Sequence, residues 1–335
     1  MLFNSFTFLI FFLITLALYW RLSHTWQNYL LLCASYIFYG TWDWRFVFLM
    51  LMTTLIDYFC SLKIEHARTQ QQKKTFLIIS ISSNLLVLGF FKYFNFFINS
   101  FTDFLNLFHV TIPAPALHII LPVGLSFYVF QSIGYTVDVY RGVVKPPHHF
   151  TDFALFVSFF PQLVSGPIER AKHLLAQILN PRIFSTETCK QGLFLICVGL
   201  FQKIYIADNL AGIVNQLFER SGSLNTLEVL MAMYAFAFQI YCDFAGYSNI
   251  ARGIANLLGF NLMINFNLPY FSKNPTEFWQ RWHISLSTWL KDYLYIPLGG
   301  NRYGLTLTMR NLMITMFLGG LWHGAAWNFV IWGIY

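Results

Sequence analysis

The sequence is poor in charged residues. Only 10% of its 335 residues are Asp, Glu, Lys or Arg, whereas soluble domains carry about 25%. Hydrophobic residues make up 57%, aromatic residues 20%, and the mean hydropathy is +0.54. A water-soluble core cannot cover that much apolar surface, and a disordered chain does not carry it. The composition therefore predicts an all-α polytopic membrane protein, with room for roughly eight to ten spans at about 20 residues per helix.

Cysteine motifs and the common catalytic motifs are absent. The five cysteines form no C-x-x-C pair and lie mostly in apolar runs, so we expect buried thiols and no disulfide framework or zinc site. There is no G-x-S-x-G, Walker A, G-x-G-x-x-G or H-E-x-x-H sequence. These absences argue against a serine hydrolase, an NTPase, a nucleotide-dependent oxidoreductase and a zinc protease. We expect no metal ion and no permanently bound cofactor.

A basic stripe is also absent. The 21 Lys and Arg give a net charge of +7 but are scattered singly, which argues against nucleic-acid binding. The first apolar stretch, at about 3–20, has no basic n-region and no A-x-A-like end. It is therefore predicted to be a retained helix and not a cleaved signal peptide.

The basic residues that do occur lie in alternate connections between apolar segments. They follow the first, third and fifth segments, whereas the connections near 41–43 and 99–117 carry almost none. By the positive-inside rule, the loops at 63–74 and 141–149 are predicted to be cytoplasmic, and the 99–117 connection and the N-terminus extracytoplasmic. The apolar segments lie at about 3–20, 26–40, 44–62, 75–98, 118–140, 152–166, 188–212, 229–259 and 309–335.

Two regions depart from simple spanning helices. Two prolines and a glycine in Pro161–Arg170 break any helix there, and such backbone at membrane depth requires cover by protein or a water-filled cavity. We therefore predict a re-entrant element that keeps 141–190 on the cytoplasmic side. Between 260 and 310, Trp and Tyr alternate with charged residues, which is typical of interfacial helices. One such helix is predicted to begin near Pro275–Glu277 and to end at Pro297–Gly300.

Polar residues inside apolar segments are candidates for chemistry, because they are costly in a membrane. His323 lies about midway along the last segment, among small residues that admit a second backbone or a slender ligand. It is either a histidine hydrogen-bonded between helices or a general base in a tunnel. His283, in an aromatic and basic stretch, is either a lipid-headgroup contact or an active-site residue.

The remaining intramembrane charges are predicted to form structural ion pairs. Asp243 and Arg252 are nine residues apart, or about 13 Å along a helix at 1.5 Å per residue. They cannot pair with each other on an unbroken helix, so each must find another partner. The same interpretation applies to Lys92, Asp138, Lys203 and Asp208, for several of which a position at a helix end is the alternative.

Three stretches strongly resemble the membrane-bound O-acyltransferase family, and within it the bacterial alginate O-acetylase branch. They are Trp279–Ser287, Trp289–Arg302 and Gly320–Gly324, and Pro161–Arg170 and Asp243–Gly253 also match. The resemblance implies a ring of tilted transmembrane helices, with re-entrant and interfacial helices, around a central tunnel. It implies one membrane-embedded domain over residues 1–335. Relatives continue past the Trp-His-Gly motif with further helices, so it also implies a chain that is incomplete at the C-terminus.

The resemblance assigns roles to individual residues. His323 matches the catalytic histidine of the family, and His283 matches a second active-site position that is asparagine in many other members. The implied donor is acetyl-CoA or another acyl thioester from the cytoplasm, and the implied partners are the lipid bilayer and periplasmic acetyltransferase or polysaccharide-modification proteins. Trp322 and Asn328 are the nearest candidate donors to a developing oxyanion. Asp243 and Arg281 are further candidates for substrate binding.

The predicted function is transfer of an acyl group, expected to be acetyl, from a cytoplasmic donor across the bacterial inner membrane for O-acetylation of an extracytoplasmic polysaccharide such as alginate. D-alanyl transfer to teichoic acid, the reaction of a sister branch, is an alternative that the Pro-Leu-Gly-Gly-Asn-Arg stretch at 297–302 disfavours. A second alternative is a non-catalytic transporter or export subunit, in which the intramembrane charges line a path. No inverted repeat is visible to support it.

Overall fold

The computed structural model describes residues 1–110, 119–164, 166–220, 222 and 224–335, and the regular structure in these ranges is helical. The part of the predicted 99–117 connection beyond Val110, and the first residue of the 118–140 segment, lie outside the described residues. The helices are α1 Phe6–Tyr19, α2 His24–Gly40, α3 Trp44–His66, α4 Gln70–Leu88, α5 Phe94–Asn106, α6 Leu125–Tyr140, α7 Phe150–Ser158, α8 Phe160–Leu163, α9 Ala171–Leu179, α10 Thr186–Leu200, α11 Asp208–Glu219, α12 Thr226–Leu257, α13 Pro275–Arg281, α14 Ile284–Leu290, α15 Leu305–His323 and α16 Trp327–Ile334.

Four of the described helical stretches are long and apolar enough to cross a membrane: Trp44–His66, Gln70–Asn106, Thr186–Glu219 and Thr226–Leu257. This confirms the predicted all-α membrane protein. The count is below the eight to ten spans that length and composition suggested. Several apolar segments form helices shorter than the roughly 20 residues of an untilted span, such as α1 with 14 residues and α6 with 16.

Two of these long stretches contain a π-helical interruption. Gly89–Tyr93 joins α4 to α5, and Phe201–Ala207 joins α10 to α11. Short π segments inside α-helices are rare and are often found at functional sites. Each of these two carries a lysine, Lys92 in the first and Lys203 in the second.

The described chain divides into two compact units. The first comprises Met1–Val47 and Thr151–Ser285. Its core is aromatic: the Phe160 ring lies 5.6 Å from the Phe11 ring and 5.7 Å from the Phe38 ring, centroid to centroid. Residues 161–163 and 166–169 are buried, so protein covers this irregular backbone, as its predicted position at membrane depth requires.

Helices α10 and α12 of the first unit touch through glycines. A Cβ atom built at Gly199 would lie 2.6 Å from the Gly246 carbonyl oxygen, and one at Gly253 would lie 2.5 Å from the Gly192 carbonyl oxygen. Such a contact between backbones is typical of membrane helices, which associate through small residues.

The second unit comprises Phe48–Phe150 and Leu286–Tyr335, and it buries a carboxyl group between α3, α4 and α6. The Ser80 hydroxyl lies 2.6 Å from Asp57 Oδ1 and 2.9 Å from Thr136 Oγ1, and Asn84 Nδ2 donates to Asp57 at 2.8 Å. All four residues are fully buried. Hydrogen bonds of this kind are what a polar group inside a membrane requires.

Helix ends in the C-terminal third differ from the prediction. The single interfacial helix expected from Pro275 onward is two helices, α13 and α14, separated at His283, whose φ is 42°. The N-cap of α13 is Asn274, whose side chain accepts from Glu277 N. The last apolar segment is also two helices, because the backbone at Gly324 is extended. His323 is therefore the last residue of a helix and does not lie midway along one.

The cysteines only partly follow the expectation of buried thiols. Cys60 and Cys242 are buried, whereas Cys33 and Cys197 are exposed. In a membrane helix, residues that face lipid and residues that face the protein are both apolar. Hydropathy alone therefore does not show which cysteines the protein buries.

Candidate active site

His323 terminates α15 beside two tryptophan rings. Its imidazole centroid lies 5.1 Å from the Trp322 ring and 5.2 Å from the Trp332 ring, both edge to face. Helix α16 packs closely on α15: a Cβ atom at Gly320 would lie 2.5 Å from the Phe329 carbonyl oxygen. The small residues before His323 thus admit a second backbone, as predicted. His323 itself is exposed, so an incoming group can reach it.

Trp322 anchors this end of α15 in the core of the second unit. It is buried, and its ring packs 5.5 Å from Phe127 and 5.6 Å from Phe130. Phe130 in turn stacks on Trp289 at 4.0 Å. Asn328, the other predicted oxyanion donor, lies in the first turn of α16 and is exposed. Of the two, Asn328 is the one with an accessible side chain.

Lys92 and Tyr93 bond the last turn of α15, a role that sequence reasoning missed. The Lys92 ammonium donates to the Trp322 carbonyl oxygen and, at 3.1 Å, to Ser126 Oγ. The Tyr93 hydroxyl donates to the Leu321 carbonyl oxygen at 2.7 Å. An ion pair was predicted for Lys92, but its ammonium instead donates to a carbonyl and a hydroxyl oxygen. The π segment that places these side chains gives no signal in the sequence.

His283 lies in the interior of the first unit. It is only 2% exposed, and its ring meets Phe244 edge to face at 4.7 Å. Such burial is incompatible with contact to lipid headgroups, one of the two predicted interpretations. Its φ of 42° lies in the left-handed region, which non-glycine residues enter at a cost and which is enriched at functional sites.

Asn265 and Ser285 hold the backbone that follows His283, and neither was singled out from the sequence. Ile284 N donates to the Asn265 carbonyl oxygen at 2.9 Å, and Ser285 Oγ donates to Asn265 Oδ1 at 2.6 Å. Ser285 Oγ also accepts from Ile168 N at 3.0 Å. Asn265 could have been identified from the sequence, because it is a polar amide in the apolar stretch that follows α12.

Asp243, Lys203 and Asp208 form the ion pairs predicted for them, whereas Arg252 Nε is buried with no hydrogen-bond partner among the described residues. Asp243 pairs with Lys203, which also bonds Asp208 at 2.8 Å. Arg281 bonds Glu277 at 2.7 Å, one helical turn earlier in α13. Helix α12 is unbroken from Thr226 to Leu257, so Asp243 and Arg252 have the separation that the spacing predicted. Asp138 accepts a hydrogen bond from the Tyr293 hydroxyl at 2.8 Å.

The candidates are divided between the two units. His323, Trp322 and Asn328 belong to the second, and His283, Arg281 and Asp243 to the first. In the second unit the Trp322 ring contacts the His323 ring, and in the first unit Phe244, next to Asp243 in the chain, contacts His283.

A buried carboxyl group stabilises the segment that precedes α9. Glu169, which is 1% exposed, accepts from Met263 N at 2.6 Å and bonds His173 Nδ1 at 2.7 Å. The hydrogen bond to the Glu169 carboxyl raises the pKa of His173 from its usual 6.5. Neither residue was a candidate from the sequence, because both lie outside the predicted apolar segments. Glu169 follows the prolines of Pro161–Arg170, and His173 lies in the first turn of the short helix α9.

The His173 contact predicts that thermal stability declines as the pH rises through the raised pKa of His173. A histidine whose folded-state pKa is raised contributes stability that is fully present below its unfolded pKa and is lost as the pH rises through the folded pKa. In detergent, the midpoint of thermal unfolding should therefore fall as the pH rises from 6.5 through the raised pKa of His173. His173→Gln should flatten this fall, while His149→Gln, in an exposed loop, should leave it unchanged. An equal pH dependence in all three proteins would contradict the assignment.

The long apolar helices indicate a multi-pass membrane protein. The accessible histidine at the end of α15 is a candidate acid–base residue. The model of the membrane-bound O-acyltransferase family matches residues 144–335. A probable alginate O-acetylase of Azotobacter vinelandii is 45% identical over 99% of this chain and 66% of its own length. The corresponding protein of Pseudomonas putida is 44% identical over 99% of this chain and 68% of its own. The chain belongs to the membrane-bound O-acyltransferase family.

More distant relatives carry other names. A peptidoglycan O-acetyltransferase of Helicobacter pylori is 38% identical over 91% of this chain and 62% of its own length. A teichoic acid D-alanyltransferase of Streptococcus thermophilus is 31% identical over 63% of this chain and 54% of its own. The chain thus spans about two thirds of the length of the relatives that match it over nearly all of its residues.

Proposed function

We propose that this protein is an O-acyltransferase that moves an acetyl group from a cytoplasmic thioester, acetyl-CoA or another acyl thioester, for O-acetylation of an extracytoplasmic polysaccharide. The proposal rests on the position and accessibility of His323. His323 matches the family's catalytic histidine, lies at the end of a helix, and presents an accessible imidazole, and the next helix carries Asn328, which is also accessible. The names of the relatives at 44–45% identity support acetyl as the group transferred.

The proposed reaction requires one residue that holds a proton. His323 takes the proton of the acceptor hydroxyl as its oxygen attacks the thioester carbonyl carbon. The new C–O bond forms, the C–S bond breaks, and the imidazolium returns the proton to the thiolate. The products are the ester and the free thiol. The negative charge that develops on the carbonyl oxygen requires donors, and Asn328 and the Trp322 indole are the nearest in the chain.

His283 is proposed to position groups in the active site. Its ring is buried among aromatic side chains, and the family resemblance places asparagine at this position in many members. A histidine and an asparagine share the ability to hydrogen-bond, but only the histidine exchanges protons near neutral pH. Arg281 and Asp243 remain proposed contributors to substrate binding, next to the ion pairs that they form.

The test of the function is donor selectivity in membranes that contain the intact protein. We expect label from acetyl thioester to reach polysaccharide in a manner that depends on this protein, and label from a D-alanyl donor not to do so. The 31% identity to a teichoic acid D-alanyltransferase makes D-alanyl transfer the second candidate, which the opposite labelling pattern would support. Passage of the donor without any new ester would instead indicate an export subunit.

We further propose that the protein lies in the bacterial inner membrane with its N-terminus outside. Basic residues concentrate in the loops at 63–74 and 141–149, which the positive-inside rule assigns to the cytoplasm. This orientation presents the donor side to the cytoplasm, where acyl thioesters are made. The proposed partners on the other side are periplasmic acetyltransferase or polysaccharide-modification proteins that pass the acetyl group to the polymer.

The orientation predicts which cysteines an impermeant reagent can label. In a cysteine-free background, Lys73→Cys should react with an impermeant maleimide only after the membrane is opened. Leu107→Cys, in the predicted external connection and 76% exposed, should react in intact cells. Labelling of Lys73→Cys in intact cells would contradict the proposed topology.

A further inference from the structure

The last turn of α15 is held by two adjacent side chains from the π segment Gly89–Tyr93. Helix C-termini leave four carbonyl groups without partners inside the helix. Tyr93 donates to the carbonyl of Leu321, and Lys92 donates to that of Trp322. The helix's own hydrogen bond at this end, from Gly324 N to the Gly320 carbonyl, is long at 3.4 Å. The side chains of Lys92 and Tyr93 therefore supply most of the capping at the residues immediately before His323.

The charge on Lys92 suits this position. The C-terminus of a helix carries partial negative charge from its aligned peptide dipoles, and a cation there is stabilising. The effect is stronger in an apolar environment, where less water screens it. The Lys92 ammonium also lies 5.4 Å from the centre of the Trp322 ring, within the range of a cation–π interaction. One side chain thus restrains both the main chain and the ring of the residue that precedes His323.

We propose that Lys92 and Tyr93 are positioning residues that clamp the last turn of α15 and thereby set the orientation of the His323 imidazole toward the acyl acceptor. This inference rests on the proposed function, because the orientation of His323 matters only if His323 exchanges a proton with substrate. Neither residue needs to touch substrate. The clamp acts through the carbonyls of Leu321 and Trp322.

The consequence for the reaction is a dependence of turnover on the clamp. A general base must lie within hydrogen-bond reach of the proton that it removes. A displacement of about 1 Å can lower the rate by about 100-fold. Loss of the clamp should therefore reduce kcat while the binding of the donor, and with it the KM for the donor, stays unchanged.

The experiment compares four variants of the intact protein. Lys92→Met removes the ammonium at similar length, Lys92→Arg retains a cationic donor, and Tyr93→Phe removes only the hydroxyl. The matched control is Tyr39→Phe, because the Tyr39 hydroxyl is buried and has no hydrogen-bond partner among the described residues. Two quantities are measured in detergent or membranes: hydrogen–deuterium exchange of a peptide covering 317–326, and kcat and KM for acetyl transfer.

For Lys92→Met we expect faster exchange at 317–326 and a kcat about 10- to 100-fold lower, with KM for the donor unchanged. Tyr93→Phe should show the same pattern to a smaller extent, and Lys92→Arg should restore much of the lost turnover. Tyr39→Phe should match the unsubstituted protein in both measurements. If Lys92→Met does not fold, Tyr93→Phe carries the same test, because it removes a single oxygen atom.

Two results would overturn the clamp. One is unchanged exchange at 317–326 in Lys92→Met and Tyr93→Phe. The other is faster exchange with an unchanged kcat. Both are distinct from failure of the proposed function, in which the unsubstituted protein itself transfers no acetyl group.

Discussion

Replacement of His323 by alanine should abolish acetyl transfer while the protein remains folded. General acid–base catalysis contributes about 10²–10⁴-fold, which corresponds to roughly 3–5 kcal/mol of activation free energy. His323 is exposed at the end of α15, so its removal leaves no buried cavity. Loss of turnover per folded molecule is therefore expected without a matching loss of folded protein. The measurement is acetyl incorporation into polysaccharide, normalised to folded protein by size-exclusion chromatography.

His323→Gln provides the control for hydrogen bonding. Glutamine has a similar length and both donor and acceptor atoms, but its amide cannot take up a proton near neutral pH. It should therefore be as inactive as His323→Ala. Full activity in His323→Ala would end the assignment of a general base at this position, and rescue by glutamine would indicate a role limited to hydrogen bonding.

At His283, unlike at His323, a substitution that introduces an amide side chain should preserve part of the activity. His283→Asn is expected to keep measurable activity, because asparagine can hydrogen-bond and tolerates the left-handed backbone found there. His283→Ala should lose more, since alanine has neither property and leaves a cavity beside Phe244. Equal activities in the two variants would argue against an orienting role.

Adding methyl groups between α10 and α12 should remove much of the stability of the first unit. At Gly199 and Gly253 a Cβ atom would lie 2.6 Å and 2.5 Å from a carbonyl oxygen of the facing helix. Backbone oxygens cannot rotate away, so the helices must separate. Overpacking of this kind costs about 1–3 kcal/mol per site. The double variant Gly199→Ala with Gly253→Ala should therefore lose roughly 2–6 kcal/mol, a large share of the 5–15 kcal/mol typical of a native protein.

The matched control is Gly212→Ala, in α11, where a Cβ atom would meet nothing within 4 Å. Alanine is the better helix former by up to about 1 kcal/mol, so this variant should be as stable as the unsubstituted protein or slightly more stable. Thermal unfolding in detergent, followed by fluorescence, makes the comparison. Unfolding midpoints that are equal in the double variant and in the control would contradict close contact between α10 and α12.

Composition determines the class of this protein. The free energy of transfer from water to an apolar environment depends on how much apolar and charged surface the chain has, and not on the order of its residues. A chain with 57% hydrophobic and 10% charged residues requires a membrane, and the membrane requires that backbone groups bond within helices. The approximate positions of the helices follow from the same runs of residues. The stretches around His283 and His323 resemble the family closely enough that their residues alone indicate membership.

Helix ends and the partners of polar groups were decided by the tertiary structure. The residues that follow the break at His283, Ile284 and Ser285, bond Asn265, which lies in the separate stretch between α12 and α13. The Lys203 ion pair with Asp243 spans 40 residues, and the Lys92 bond to Trp322 spans 230. Local periodicity carries no information about such partners, because a side chain has the same hydropathy whether its partner is near or far.

The order and types of the residues are therefore enough to predict a helical membrane protein, its approximate segments and the two candidate histidines. Packing of distant elements places one histidine in the interior on a left-handed backbone and the other at the end of a helix whose last turn bonds Lys92 and Tyr93. The physical reason is that membrane insertion depends on composition summed over a span, whereas orientation of a catalytic side chain depends on individual hydrogen bonds. Those bonds form only where packing brings distant donors to the unsatisfied carbonyls of a helix end.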